Sequence, residues 1–196
     1  MKVSIVTITK DDGPLLNRAI RSVRAQKVPR DVEIEHIVID SSTYVPDILS
    51  GARFYHLPPK GCYNALNEGI ARATGDVIGI VHGNDALADE RVVERVSELF
   101  AKHSPDFIYG NVNFIKDNHP GRVYRHYSSE NFTPDQLMRG FAPPHPSLFI
   151  TRQAMKEVGP YKEDYKVGGD FELFVRLFLG QKSFKSMYMP GVCTNM

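Results

Sequence analysis

Several things are scarce in this chain of 196 residues, and each scarcity removes a class of function. It has two cysteines, Cys62 and Cys193, far apart and without ligand spacing, so neither a disulfide framework nor a zinc site is expected. No apolar run is long enough to cross a bilayer. The opening "MKVSIVTITKDDG" lacks the apolar stretch and small-residue cleavage site of a signal peptide. Charge is nearly balanced, with 24 basic and 23 acidic residues and a net +1, which gives no electrostatic case for nucleic acid. The expected location is the cytoplasm, including peripheral association with the inner face of the cell membrane. No G-x-G-x-x-G follows the first strand, and no G-x-x-x-x-G-K-[ST] occurs anywhere. Internal repeats and low-complexity segments are also missing.

What is there suits one packed domain, since 42% of the residues are hydrophobic. "VSIVTIT" (3–9) reads as a buried strand, broken by "DDGP", and Pro14 fits the first turn of a helix over "LLNRAIRSVRAQ". Strands follow at 33–40, 52–57, 76–81 and 106–115. Between them lie helices over "CYNALNEGIARAT", ended by Gly75, and over 89–103. The order β-α-β-β-α-β-α-β implies an α/β fold with a mostly parallel central sheet flanked by helices. Beyond residue 116 the pattern changes. "RVYRHYS" alternates like an edge strand, and "TPDQLMRGF" is a short helix with Thr133 as N-cap. "LFIT" (148–151) is a strand, "RQAMKEVG" and "DFELFVRLFLG" are helices, and "FKSMYM" is a last strand. In the second of those helices Phe171, Phe174, Val175 and Phe178 form the expected buried face, and Glu172 and Arg176 can pair.

Ligands of open α/β sheets collect beyond the carboxyl ends of the strands. Those ends carry Thr7, Thr9 and Asp11; Asp40, Ser41 and Ser42; and His82, Asn84 and Asp85. Each has an ordinary alternative. Asp40 could bond the "SST" turn, Asp11 could cap a helix, and Asn84 could be a turn residue. Without a phosphate-cradling loop, the charge of a nucleotide would be met by a divalent metal on Asp85. Asp170, at the start of a helix after two glycines, could equally be an N-cap. His145 lies among prolines in "PPHPSLF". Lys60, Arg72, Arg122 and Arg125 could touch phosphate or face solvent.

The blocks "VSIVTITKDDGPLLNRAIRSVRAQ", "EHIVIDSST", "GCYNALNEGIARATGDVIGIVHGNDAL" and "PHPSLFITRQAMKEVGPYKEDYKVGGDFELFVRLF", in this order, resemble the family 2 glycosyltransferases of the GT-A fold, of the bacterial polysaccharide and surface-glycan type. The resemblance implies one nucleotide-diphospho-sugar transferase domain over 1–196. Residues 1–115 would form its nucleotide-sugar half and 116–196 its acceptor half, short at the C-terminus. It implies that Thr7, Thr9, Asp11 and Asp40 hold the base and ribose, with Asn84 and His145 also on the nucleotide sugar. Asp85 would be the ligand of Mg²⁺ or Mn²⁺ and Asp170 the general base. The donor is a nucleotide-diphosphate sugar, by family default a UDP-sugar, and the acceptor a glycan or lipid-linked hydroxyl. Transfer would invert the anomeric centre. Lys10-Asp11 and His-Gly-Asn-Asp depart from the commoner Tyr-Asn and Asn-Ser-Asp-Asp of the family. Two other readings stay open: a nucleotidyltransferase, and a non-catalytic nucleotide-sugar-binding or protein-binding module that keeps the fold.

Overall fold

The structure, a computed structural model, describes residues 1–47, 50–116 and 119–196. The elements are β1 (Lys2–Thr9), α1 (Pro14–Arg24), β2 (Glu33–Asp40), β3 (Arg53–His56), α2 (Cys62–Arg72), β4 (Val77–Ile80), β5 (Ala86–Leu87), α3 (Val92–His103), β6 (Phe107–Lys116), β7 (His119–Tyr127), β8 (Phe149–Thr151), α4 (Arg152–Val158), α5 (Gly169–Leu179) and β9 (Ser186–Asn195). The strands make one sheet in the order β3-β2-β1-β4-β8-β6-β9-β5, with β7 added to β6. It is a mixed sheet flanked by helices, the α/β architecture expected from the sequence. The first four strands are mutually parallel. β8 then runs antiparallel to both β4 and β6, while β9 is parallel to β6.

β1 and β2 are apolar on both faces because helices cover both. On one side Val6, Ile37 and Ile39 pack with Leu66 of α2. On the other, Val3 and Ile5 meet Ala19 and Val23 of α1. This sandwich brings the carboxyl ends of β1, β2 and β4 to one edge of the sheet.

The differences from expectation are local. α2 ends at Arg72, because Ala73 is already extended, rather than at Gly75. "TPDQLMR" forms a 3-10 turn, with Thr133 in a capping box with Gln136. The last strand runs on past Pro190 to Asn195, the ladder to β6 shifting register around Gly110 so that the proline is tolerated. β5, two residues long, was not expected, and it pairs with that extension. In α5 the buried residues are Gly169, Leu173, Phe174 and Leu177; of the expected face, Phe171, Val175 and Phe178 are only partly buried. Glu172 and Arg176 do pair, with Nε 2.9 Å from each carboxylate oxygen.

Candidate functional site

A pocket of about 280 Å³ opens at the carboxyl ends of β1 and β4. Thr9, Lys10 and Asp12 line it from the β1 loop, His82, Gly83 and Asn84 from the loop after β4. Gly61 and Cys62, where α2 begins, close a third side. Gly61 supplies no side-chain cap and the first turn of α2 has no acidic residue, so the helix presents uncapped backbone amides on this side. Position 83 requires glycine: a Cβ there would stand 2.3 Å from Asp12 Oδ2 and 2.6 Å from Thr9 Oγ1. Thr9 Oγ1 itself donates to Asp12 Oδ2 at 2.7 Å. The loop after β4 is joined to β1 here by Gly83 N, which donates to the Ile8 carbonyl at 2.9 Å.

The other residues expected along this edge are engaged with one another. Thr7 is fully buried on a sheet face, its Oγ1 2.9 Å from His36 Nε2, and it does not line the pocket. Burial takes the His36 imidazole down to about 4. Asp40 is also fully buried. Its Oδ1 accepts from Ser42 Oγ at 2.5 Å and from Ser42 N at 3.2 Å, and its Oδ2 is 2.5 Å from His56 Nδ1. Asp11, with φ 58°, accepts from Thr43 N at 3.0 Å, while its own N–H donates to Ser42 Oγ at 2.8 Å. Asp11 therefore ties the β1 loop to the β2 loop, and Asp40 fixes Ser42 of the β2 loop and His56 of β3.

Asp85 differs. It is 2% exposed, and its Oδ2 accepts no hydrogen bond from the described residues. Burial lifts its carboxyl to about 7, with Asp12 adding to the rise and the Arg18 guanidinium opposing it. Arg18 also donates to the Asn84 carbonyl.

A second pocket, of about 350 Å³, lies on the far side of His82. It is lined by His145, Asp170, Arg125, Tyr127 and Phe171 among others. The His82 and His145 rings are 5.8 Å apart, so this pair joins the walls of the two pockets. Both imidazoles are lowered by burial, His145 to about 3, with His82 adding to its fall and Asp170 opposing it. Asp170 is the second residue of α5 and not its cap; Gly168, at φ 83°, holds the cap position and offers no side chain. The protein hydrogen bond to its carboxylate is a long one, from Tyr63 Oη to Oδ1 at 3.4 Å.

Sequence reading missed the aromatic pair behind these groups. Tyr63 Oη accepts from Gly169 N at 2.8 Å, and a Cβ on Gly169 would meet the Tyr63 ring at 2.8 Å. Tyr63 stacks on Tyr161 at 5.9 Å, and Tyr161 Oη is 2.6 Å from His145 Nε2. One tyrosine adjoins Asp170 and the other holds His145. In the sequence, Tyr63 looked like one more residue of an amphipathic helix; its adjacency to the Gly-Gly-Asp turn depends on a contact between residues 106 positions apart.

Comparison with known proteins gives a consistent result. The model of glycosyl transferase family 2 matches residues 4–159. An uncharacterized glycosyltransferase of Mycobacterium tuberculosis is 32% identical over 186 residues, which is 90% of this chain and 69% of the relative. Among solved structures, S. aureus TarS 1-349 in complex with UDP-GlcNAc superposes with a TM-score of 0.69 at 15% identity, over 96% of this chain and 59% of that one. The mannosyltransferase PcManGT of Pyrobaculum calidifontis, in complex with GDP-Man and Mn²⁺, gives 0.61 at 19%, over 99% and 56%. At these identities the two structures speak for the fold alone, and the chain spans less than two thirds of either.

Proposed function

The chain belongs to glycosyl transferase family 2, and from that premise we propose that it moves a sugar from a nucleotide-diphosphate donor, a UDP-sugar, to an acceptor hydroxyl with inversion. The observation that carries this reading is a pair of adjoining pockets. One opens at the carboxyl ends of parallel strands, where nucleotides bind in such folds, and the other holds a carboxylate with little protein company. Residues 1–115 form the donor half and 116–196 the acceptor half. In the first pocket the amides of α2 face the diphosphate. Thr9 and Asn84 stand on the wall, and Asp11, Asp40 and Thr7 shape the loops behind it.

A divalent cation fits on one observation: the buried, unpartnered Oδ2 of Asp85 is an oxygen of the kind Mg²⁺ or Mn²⁺ takes beside substrate phosphates. Among the described residues no group of three His, Cys, Asp or Glu side chains gathers, so Asp85 would be the chain's own ligand. When bound, the cation would offset charge on the departing nucleoside diphosphate. Asp170 takes the proton from the acceptor hydroxyl. The acceptor oxygen then bonds to the anomeric carbon as the bond from that carbon to the diphosphate breaks on the opposite face. His145, neutral and held by Tyr161, fixes the wall between donor and acceptor. The setting is assembly of a bacterial polysaccharide or surface glycan on a glycan or lipid-linked acceptor. No described helix is long and apolar enough to cross a membrane.

A non-catalytic nucleotide-sugar-binding module is the second reading, favoured by the amide of Asn84 in the loop beside Asp85. Free nucleoside diphosphate released from UDP-, GDP- and dTDP-sugars, with a panel of glycan acceptors and Mg²⁺ or Mn²⁺, separates the two. Release from one donor class supports transfer. Donor binding with no release under any pairing overturns it in favour of the module.

A further inference from the structure

On the glycosyltransferase reading, the second pocket receives the acceptor, and one of its walls carries a charge that this reading leaves without a task. Arg125 lies on β7, where strand alternation puts it on the same face as Tyr127 and opposite Phe114 of β6. Its guanidinium sits over both rings, 5.1 Å from the Phe114 centroid and 5.9 Å from that of Tyr127. Tyr127 is itself fixed, since its hydroxyl donates to the Ala142 carbonyl at 2.9 Å. Other arginines of the chain, such as Arg53, Arg95 and Arg176, pair with carboxylates. Among the described residues, none pairs with Arg125, and no protein acceptor takes its N–H groups.

We propose that the acceptor carries an anionic group, phosphate or carboxylate, which Arg125 binds while Asp170 takes the proton of the attacking hydroxyl. The exposed Arg125 guanidinium, resting near two rings, presents a planar fork of donors, which favours two-point recognition of either anion. Asp170 lines the same pocket without forming an ion pair with Arg125, so the pocket carries a cation and a carboxylate apart from each other. Much of the remaining lining is apolar, Pro143, Phe171 and Phe174 among it. His145 adds no positive charge at neutral pH, because burial holds it near 3. An acceptor with an anion and a hydroxyl would be aligned by these two charges, since its anion is attracted at Arg125 and repelled at Asp170.

The test needs no known acceptor. Glycerol 1-phosphate and glucuronate, with glycerol and glucose as their neutral counterparts, are titrated calorimetrically into the full chain and each variant, and in the wild type the Arg125 Nε–Hε resonance is followed as well. The titration is repeated with UDP at saturation. At least one anion should bind roughly tenfold tighter than its neutral counterpart. It should do so with UDP present, and Arg125→Met should remove the difference. Arg125→Lys, which keeps the charge but not the flat fork, should keep part of it, and it serves if the Met variant is poorly folded. Binding of the phosphate alone marks a phosphate-bearing acceptor, binding of glucuronate alone a uronate-type one, and equal binding recognition of charge in general; all three support the proposal. No preference for either anion, displacement by UDP, or a preference that survives in Arg125→Met overturns it. UDP binding in the wild type is read from the same samples. If UDP binds and the anions do not, only the acceptor proposal falls. If the anions bind and UDP does not, it is the glycosyltransferase reading that falls.

Discussion

Glu35 and Asp40, at the β2 side of the sheet, are each surrounded by donors, whereas Asp85 and Asp170, beside the two pockets, are not. Glu35 accepts from Ser4 Oγ at 2.6 Å, Thr74 N and Oγ1 at 2.9 Å each, and Arg53 Nη1 at 2.7 Å. Burial alone would raise its carboxyl, yet these hydrogen bonds and the charge of Lys2 outweigh burial and take it down to about 2. Asp85 is more deeply buried and lacks such a set of donors, and burial lifts its carboxyl to about 7 although the Arg18 guanidinium and the His82 backbone oppose the rise. A buried polar atom that lacks a partner costs stability, so most are partnered, and the exceptions call for a reason. Here the partnered carboxylates belong to the scaffold. Of the other two, Asp170 lines the second pocket, while Asp85 follows Asn84 of the first pocket's wall and does not itself line it.

Asp170 gives the largest expected effect. With Gly168 in the cap position and one long hydrogen bond to Tyr63, the carboxylate contributes little to the helix. Asp170→Asn should melt close to wild type and bind donor as well, yet transfer about 10²–10⁴-fold more slowly, since an amide cannot take the proton. Rates on a working donor–acceptor pair, with melting curves alongside, decide it. A stability loss with unchanged transfer would move Asp170 to the scaffold class.

Asp85 should show the contrast as a function of pH. Its folded value, about 7, lies above the 3.8 of an ordinary aspartate, so the charged form is disfavoured in the folded state. The stability associated with the neutral form is complete below about pH 4 and is lost as pH rises to about 7. Asp85→Asn stays neutral, so without added cation it should be more stable than wild type at pH 8, by about 4 kcal/mol at most, and nearly equal at pH 4. Mg²⁺ or Mn²⁺ should tighten UDP binding in the wild type increasingly as pH passes 7, and not in Asp85→Asn. Denaturation at several pH values and calorimetric UDP titrations read both effects. A variant that keeps the cation effect would separate Asp85 from the metal.

The scaffold side should answer in stability. Asp40→Ala leaves Ser42 and His56 without their acceptor, and the expected loss is about 2 kcal/mol, with UDP affinity changing less than about tenfold. Unfolding in urea beside UDP titration makes the distinction. Intact stability with lost affinity would make Asp40 a direct nucleotide contact and break the comparison at this point.

The parallel half of the fold was legible because β1, β2 and β4 are short apolar runs closed by polar turns and separated by helices with one apolar stripe. The edge holding Thr9, Asn84 and Asp85 followed from strand direction alone. Burial of Thr7 against His36 was not legible, since alternation along β1 says which face a side chain takes and not what stands there. The run of β9 past Pro190 was hidden by the proline. The roles of Tyr63, Tyr161 and Arg125 depend on contacts between distant segments, which no local pattern encodes.

Tyr63 is predicted to give the smallest effect, and it tests whether Asp170 is as lightly held as the comparison requires. The Tyr63 phenol does two things: it accepts the Gly169 N–H at 2.8 Å and donates to Asp170 Oδ1 at 3.4 Å. Tyr63→Phe keeps the ring against Gly169 and the stack on Tyr161 but removes both bonds. The first bond satisfies one of the amides that every helix start leaves open, so stability should fall by about 1 kcal/mol. The second is long, so its loss should let the carboxylate swing and lower kcat several-fold, about tenfold at the outside, with KM for the donor unchanged. Gly169→Ala offers an independent route, because the added Cβ pushes against the same ring while leaving the hydroxyl present. If Tyr63→Phe slows transfer as much as Asp170→Asn does, the phenol is an essential partner of the carboxylate, and Asp170 is held as firmly as Glu35 and Asp40. If kcat is untouched while stability falls, Tyr63 is only a helix cap supplied from a neighbouring helix, and the freedom of Asp170 is greater still.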